Sequence, residues 1–125
     1  MNILTKILIT IVALEHIYIL WLEMFAWTSA GRKTFKSMPA ELFEKTKSMA
    51  GNQGLYNGFL AAGLIWSLII NDLEWSQHIA TFFLTCVTIA GIYGSFSVQR
   101  SIFYIQSVPA ILALLTIFLS SFSVV

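Results

Sequence analysis

Apolar residues come in four long runs along the chain, separated by shorter polar stretches, and these runs set the expected architecture. They cover about Leu4–Met24, Leu55–Ile70, Ile79–Phe96 and Ile102–Phe122. Each is near the ~20 residues a helix needs to cross a hydrocarbon layer about 30 Å thick. Four crossings with short connections use the whole chain. The pattern therefore predicts one domain, an all-α membrane protein built as a four-transmembrane-helix bundle. Between the first two runs lies a polar segment, Thr28–Gln53. Within it, Ser37-Met38-Pro39-Ala40-Glu41 reads as a helix start: Ser37 can cap, Pro39 suits the first turn, and Glu41 favours the positive end of the helix dipole. Leu42, Phe43 and Met49 would then rest on the membrane surface, giving a short amphipathic helix in the first loop. Pro109 is expected to kink the fourth span and to free a carbonyl near Ile105.

Composition sharpens this reading. The chain is 58% hydrophobic and 10% charged, whereas soluble domains carry about 25% charged residues. No basic run is dense enough for nucleic acid, which is not an expected partner. Cys86 is the one cysteine, so no internal disulfide forms, and it reads as a small hydrophobe within the third span. The first run has the length of a secretory signal, but a signal's apolar core lacks an adjacent Glu-His pair, and the run is expected to be kept as a span. Six of the seven basic residues, Arg32, Lys33, Lys36, Lys45, Lys47 and Arg100, fall in the first and third loops. These loops are therefore expected on the cytoplasmic side of the cell (inner) membrane, with both termini outside. Trp27 and Trp75 suit the aromatic belts at the two faces.

The chemistry-bearing residues sit inside or at the ends of the spans. Glu15 and His16 lie near the middle of the first run, where an ionisable group costs roughly 2.5–3.5 kcal/mol on insertion scales and usually faces a partner or a wet cavity. His16 and Glu23 are seven residues apart, so they share a helix face about 10 Å apart along the axis. Glu15, His16 and Glu23 are the candidates for acid/base or counter-ion roles; the bland alternative has the first two fixing helix register through bonds to polar groups on other helices. Asn52, Gln53, Tyr56 and Asn57 open the second span on the cytoplasmic side. Tyr93 ends the third span there, and Arg100, Tyr104 and Gln106 surround the start of the fourth. Amides left facing lipid would be unsatisfied, so these groups are expected to converge inward as a substrate-binding set. Arg100 reads either as a positive-inside anchor or as an anion clamp. Gly54-x-x-x-Gly58, continued by Ala62, forms a stripe of small residues for close helix approach. With two histidines, and His78 on the far side from Glu23, no metal is expected; no cofactor is indicated.

Ala13-Leu14-Glu15-His16-Ile17-Tyr18 with Leu22-Glu23-Met24-Phe25, and then Asn52 through Gly63, resemble the small bacterial integral membrane proteins grouped as domain of unknown function 1304. The likeness continues through Ile92-Tyr93-Gly94 and Gln106-Ser107-Val108-Pro109-Ala110. The resemblance implies a four-span inner-membrane protein and assigns no activity. The chain is also similar in size and expected layout to the membrane-associated proteins of eicosanoid and glutathione metabolism, which are trimeric. Asn52, Gln53 and Asn57 would be the nearest counterparts of their span-2 Asn and Glu, but no Arg or Glu stands at that opening here. That likeness is one of architecture.

Three functions fit these residues. One is a polar intramembrane site, open toward the cytoplasm, that binds or transports a small polar or amphipathic molecule. Another is an enzyme on a lipophilic substrate, with His16 or Glu23 as acid/base and Arg100, Asn52 and Gln53 holding an anionic co-substrate. The third is a non-catalytic membrane interaction module. The lipid bilayer is the first expected partner, a small-molecule or lipid ligand the second. A homo-oligomer is also expected, because four helices enclose little room for a transport path.

Overall fold

The computed structural model describes residues 1–123. Four helices make up most of it: α1 (Ile3–Phe25), α4 (Lys47–Ile69), α5 (Leu73–Ser97) and α6 (Val108–Phe122). Two short helices, α2 (Ala30–Thr34) and α3 (Leu42–Lys45), lie in the first loop, and a π-helical turn, Phe103–Ser107, leads into α6. Ile3–Phe25, Leu73–Ser97 and the continuous Phe103–Phe122 are long and apolar enough to cross a membrane, which fits a membrane protein. Helix α4 is as long as α1 but is not among these three. Its first half carries Asn52, Gln53 and Asn57, which lower its apolar character. The helix also begins eight residues before the expected Leu55, because polar, helix-compatible residues extend it beyond the apolar run.

Local chemistry explains the ends. The Asn2 side chain caps α1, accepting from the Thr5 amide at 2.8 Å, and Asp72 caps α5 by accepting from the Trp75 amide at 2.9 Å; both satisfy amides that have no partner inside the helix. The amphipathic helix expected from Ser37 does not form as such. Residues 36–38 form a turn, and helix resumes for one turn at Leu42–Lys45. Phe43, expected at a membrane surface, is instead 1% exposed and packs on Trp27 with ring centroids 5.1 Å apart. Thr46, with φ −102° and ψ 5°, then bends the chain into α4. Burial of Phe43 on that indole turns α3 inward, so Met49 belongs to α4 and not to a shared apolar face.

Pro109 has a larger effect than a kink. Having no N–H, it cannot bond the carbonyl of Ile105. The helix shifts register one turn earlier, where the Val108 amide reaches back five residues to the Phe103 carbonyl. A single-turn π segment of this kind inserts one extra residue and is frequent at functional sites.

The four long helices form a ring in which α1 packs on α4, α4 on α5, α5 on α6 and α6 on α1. The ring is closed at the end that holds the start of α1, the end of α6 and the α4–α5 turn. There the Thr5 and Thr116 hydroxyls meet at 2.8 Å, and Ser76 donates to the Ser67 carbonyl at 2.6 Å. Ile9, Val12, Leu64, Leu84, Val87 and Ala113 fill the adjoining core. At the other end the helices separate into two tight pairs. Gly54 and Gly58 bring α4 onto Leu20, Glu23 and Met24 of α1. Gly91 and Gly94 bring α5 onto Ser107 and Ile102. A Cβ at Gly54 would stand 2.8 Å from Met24 Cγ, and one at Gly58 2.6 Å from Leu20 Cδ1, closer than carbon atoms pack. The small-residue stripe continues through Ala61, which is buried, and not through Ala62, which is exposed.

Candidate functional site

The two helix pairs leave a cleft of about 970 Å³ between them. One wall is α1 and α4; the other is the C-terminal part of α5 and the π turn; the first loop borders the mouth. The lining on α1 runs from Ile11 to Glu23, about 18 Å along the helix axis. The cleft is thus long and mainly apolar, with polar groups at a few depths.

Glu15 and His16 part company at once, as neighbours on a helix must, since successive side chains point about 100° apart. Glu15 lies on the face with Ile11, Leu14, Tyr18 and Leu22 and lines the cleft. It is half-buried, and its Oε2 is buried without a protein hydrogen-bond partner among the described residues. His16 shares the inward stripe Thr5, Ile9, Val12 and is fully buried in the bundle. Its Nδ1 stands 2.8 Å from the Val12 carbonyl. A carbonyl only accepts, so Nδ1 carries the hydrogen. The other nitrogen, Nε2, is buried with no protein partner among the described residues.

Glu23, eight residues beyond Glu15 and about 12 Å along the axis, is 5% exposed. Its carboxylate accepts from Asn57 Nδ2 at 2.6 Å, the one polar side-chain bond joining α1 to α4 among those described. Asn57 also donates to the Gln53 carbonyl at 3.2 Å. Gln53, Tyr56, Tyr93 and Gln106 line the same cleft from α4, α5 and the π turn. Asn52 and Tyr104 are exposed and lie outside it. Arg100 lines a separate, smaller pocket with Ile92, Ser95, Phe96 and Phe103, so the expected set of amides and one Arg is divided between two places. Among the described residues no Lys or Arg lines the large cleft.

Several lining residues carry no polar signal in the sequence or sit in an unremarkable loop. Trp27 donates its indole N–H to the Thr46 hydroxyl at 3.0 Å and packs on Phe35 at 5.5 Å between centroids, which holds the first loop over the mouth. Tyr18 faces the cleft beside Glu15. The spacing Glu15–Tyr18–Leu22, one helical face, was the available clue to it. At the opposite end of the molecule His78 pairs with Glu74 at 3.5 Å, both exposed. Among the described residues no three His, Cys, Asp or Glu side chains gather closely enough to hold a metal.

The sequence model described as "Protein of unknown function (DUF1304)" matches residues 10–118, a stretch that spans both carboxylates, the α4 amides and the π turn. The chain belongs to the DUF1304 family. A relative is the uncharacterized protein YpaA of Lactococcus lactis subsp. lactis, 35% identical over 120 residues, covering 94% of this chain and 99% of that protein. No solved structure matches the chain.

Proposed function

We propose that this DUF1304 protein is a four-span membrane protein whose cleft binds a small amphipathic molecule from the cytoplasmic side. The observation that carries the reading is the cleft itself: about 970 Å³, within the range of sites for drug-sized molecules, apolar along its length and polar at two carboxyl groups. Helix α4 joins the three apolar helices as a span in this reading. Its 23 residues extend about 34 Å, enough for a hydrocarbon core of about 30 Å, and it packs between α1 and α5 in the same layer. Its polar half turns Asn57 to α1 and Gln53 to the cleft, so these two amides avoid lipid, and Asn52 lies near the helix start. Basic residues of the first and third loops border the mouth end, which supports a cytoplasmic opening. Separation of Arg100 from the carboxyl groups weighs against an enzyme that holds an anionic co-substrate between them.

The test is native mass spectrometry of protein extracted into lipid nanodiscs. An amphiphile should be retained by the wild type and lost from a Leu60→Trp variant, which fills the cleft from α4. Retention by both would end the reading. Cysteine labelling at Lys33→Cys and Asp72→Cys in a Cys86→Ala background checks orientation: reagent restricted to the outside should reach position 72 and not position 33.

A further inference from the structure

The charge of the bound molecule can be read from which side chains are absent as well as present. Among the described residues the cleft is lined by two carboxyl groups, Glu15 and Glu23, and by no basic side chain. Two basic residues near its mouth have other neighbours: Arg32 lies over the Phe43 ring, 6.0 Å from its centroid, and Arg100 lines the separate pocket; Lys33 and Lys36 flank the lining residues Thr34, Phe35 and Ser37 but are exposed and are not part of the lining. The two carboxyl groups are not equivalent. Glu23 is held by Asn57 at 2.6 Å, whereas Glu15 keeps a buried oxygen with no protein partner. A buried carboxyl oxygen is costly unless a donor meets it. Phenol and indole rings of Tyr18, Tyr56, Tyr93 and Trp27 surround the passage, and aromatic faces attract cations. An anionic headgroup at the depth of Glu15 or Glu23 would find no basic side chain among the described lining residues.

We propose that the occupant is an organic cation, specifically an amphipathic amine whose ammonium group donates to Glu15 while its apolar part lies against Leu14, Leu60 and Ile105. This rests on the reading of the cleft as a binding site and adds the charge class. It also gives a role to the unpartnered oxygen, which a purely structural carboxyl group would not leave open.

Three isosteric probes separate the two claims: 4-phenylbutylamine, 4-phenylbutanol and 4-phenylbutyrate, titrated by calorimetry into wild-type protein in phosphatidylcholine nanodiscs with empty nanodiscs as blank. The amine should bind at least about tenfold more tightly than the alcohol, as expected for one charge-assisted bond over a neutral one, with the acid weakest. In Glu15→Gln the amine's advantage over the alcohol should fall to about twofold while alcohol binding persists, and in Glu23→Gln most of the advantage should remain. Equal binding of the three probes, or preference for the acid, overturns the cation assignment and leaves the amphiphile reading standing. Binding of none overturns both. The wild-type comparison needs no variant, so a misfolded Glu15→Gln does not rescue the proposal from a negative result.

Discussion

The Glu23–Asn57 contact is the best place to test whether the two halves of the site are held as described. Replacing Asn57 by Leu leaves a carboxyl group that is 5% exposed without its donor at 2.6 Å. Stranding a buried polar group costs about 1–3 kcal/mol, more when it is charged. The α1–α4 seam adds little to offset this, because Leu20, Gly54 and Gly58 already touch there and a larger side chain at 57 gains few new contacts. We expect Asn57→Leu to lose about 2 kcal/mol of unfolding free energy. Glu23→Leu alone strands the weaker partner, a half-buried amide that still donates to the Gln53 carbonyl at 3.2 Å, and should cost less than about 1 kcal/mol. Replacing both groups with Leu removes donor and acceptor together, and the double variant should be more stable than Asn57→Leu by about 1 kcal/mol or more. Reversible unfolding in mixed dodecylmaltoside–SDS micelles, followed by tryptophan fluorescence, measures all four proteins. If the double variant is instead less stable than either single one, with additive losses, the pair is not coupled and the α1–α4 seam must be held by packing alone.

Three further outcomes follow from the same geometry. His16→Leu deletes a buried acceptor that has no protein donor while Val12 keeps its helical amide partner, so the same unfolding assay should find the protein unchanged or more stable by up to about 2 kcal/mol; a loss above about 1 kcal/mol would mean Nε2 is bonded in the folded state. Gly91→Ala drives a methyl group into the Ser107 hydroxyl and to within 2.9 Å of its backbone nitrogen, disrupting the Ser107–Thr88 bond, and should destabilise by about 2–4 kcal/mol, whereas Gly51→Ala, with nothing within 4 Å, should match or exceed the wild type. Pro109→Ala restores the missing amide and should let the π turn relax toward α-helix, turning Ile105 and Gln106 away from the cleft. A several-fold loss of 4-phenylbutylamine affinity with unfolding free energy within about 1 kcal/mol of wild type is the expected signature; retained affinity would show that the turn does not shape the wall.

Long-range placement was the part of this molecule that the sequence could not supply. Helical content and the apolar crossings α1, α5 and the Phe103–Phe122 stretch follow from runs of Leu, Ile, Val and Phe, a signal that survives without knowing any partner. Adjacent Glu15 and His16 could be recognised as unusual, yet which of them faces a cleft depends on where α4 and α5 dock. Glycines 54 and 58 announced a close contact, but Ala61 and not Ala62 continues it, since a helix drifts by about 100° per residue and the partner crosses at an angle. Phe43 read as a membrane-surface residue because nothing nearby in sequence reveals that Trp27, sixteen positions earlier, covers it. Arg100 shared a depth with the amides but not a face, and depth is all that hydropathy conveys.

The closed end of the ring has a consequence for the open one. In the core shared by the four long helices, three alanines, Ala80, Ala110 and Ala113, are wholly enclosed and act as thin shims. A methyl or two added there would overpack the junction and push apart the helices whose far ends form the jaws. The aperture is therefore set by side chains that a bound molecule never touches.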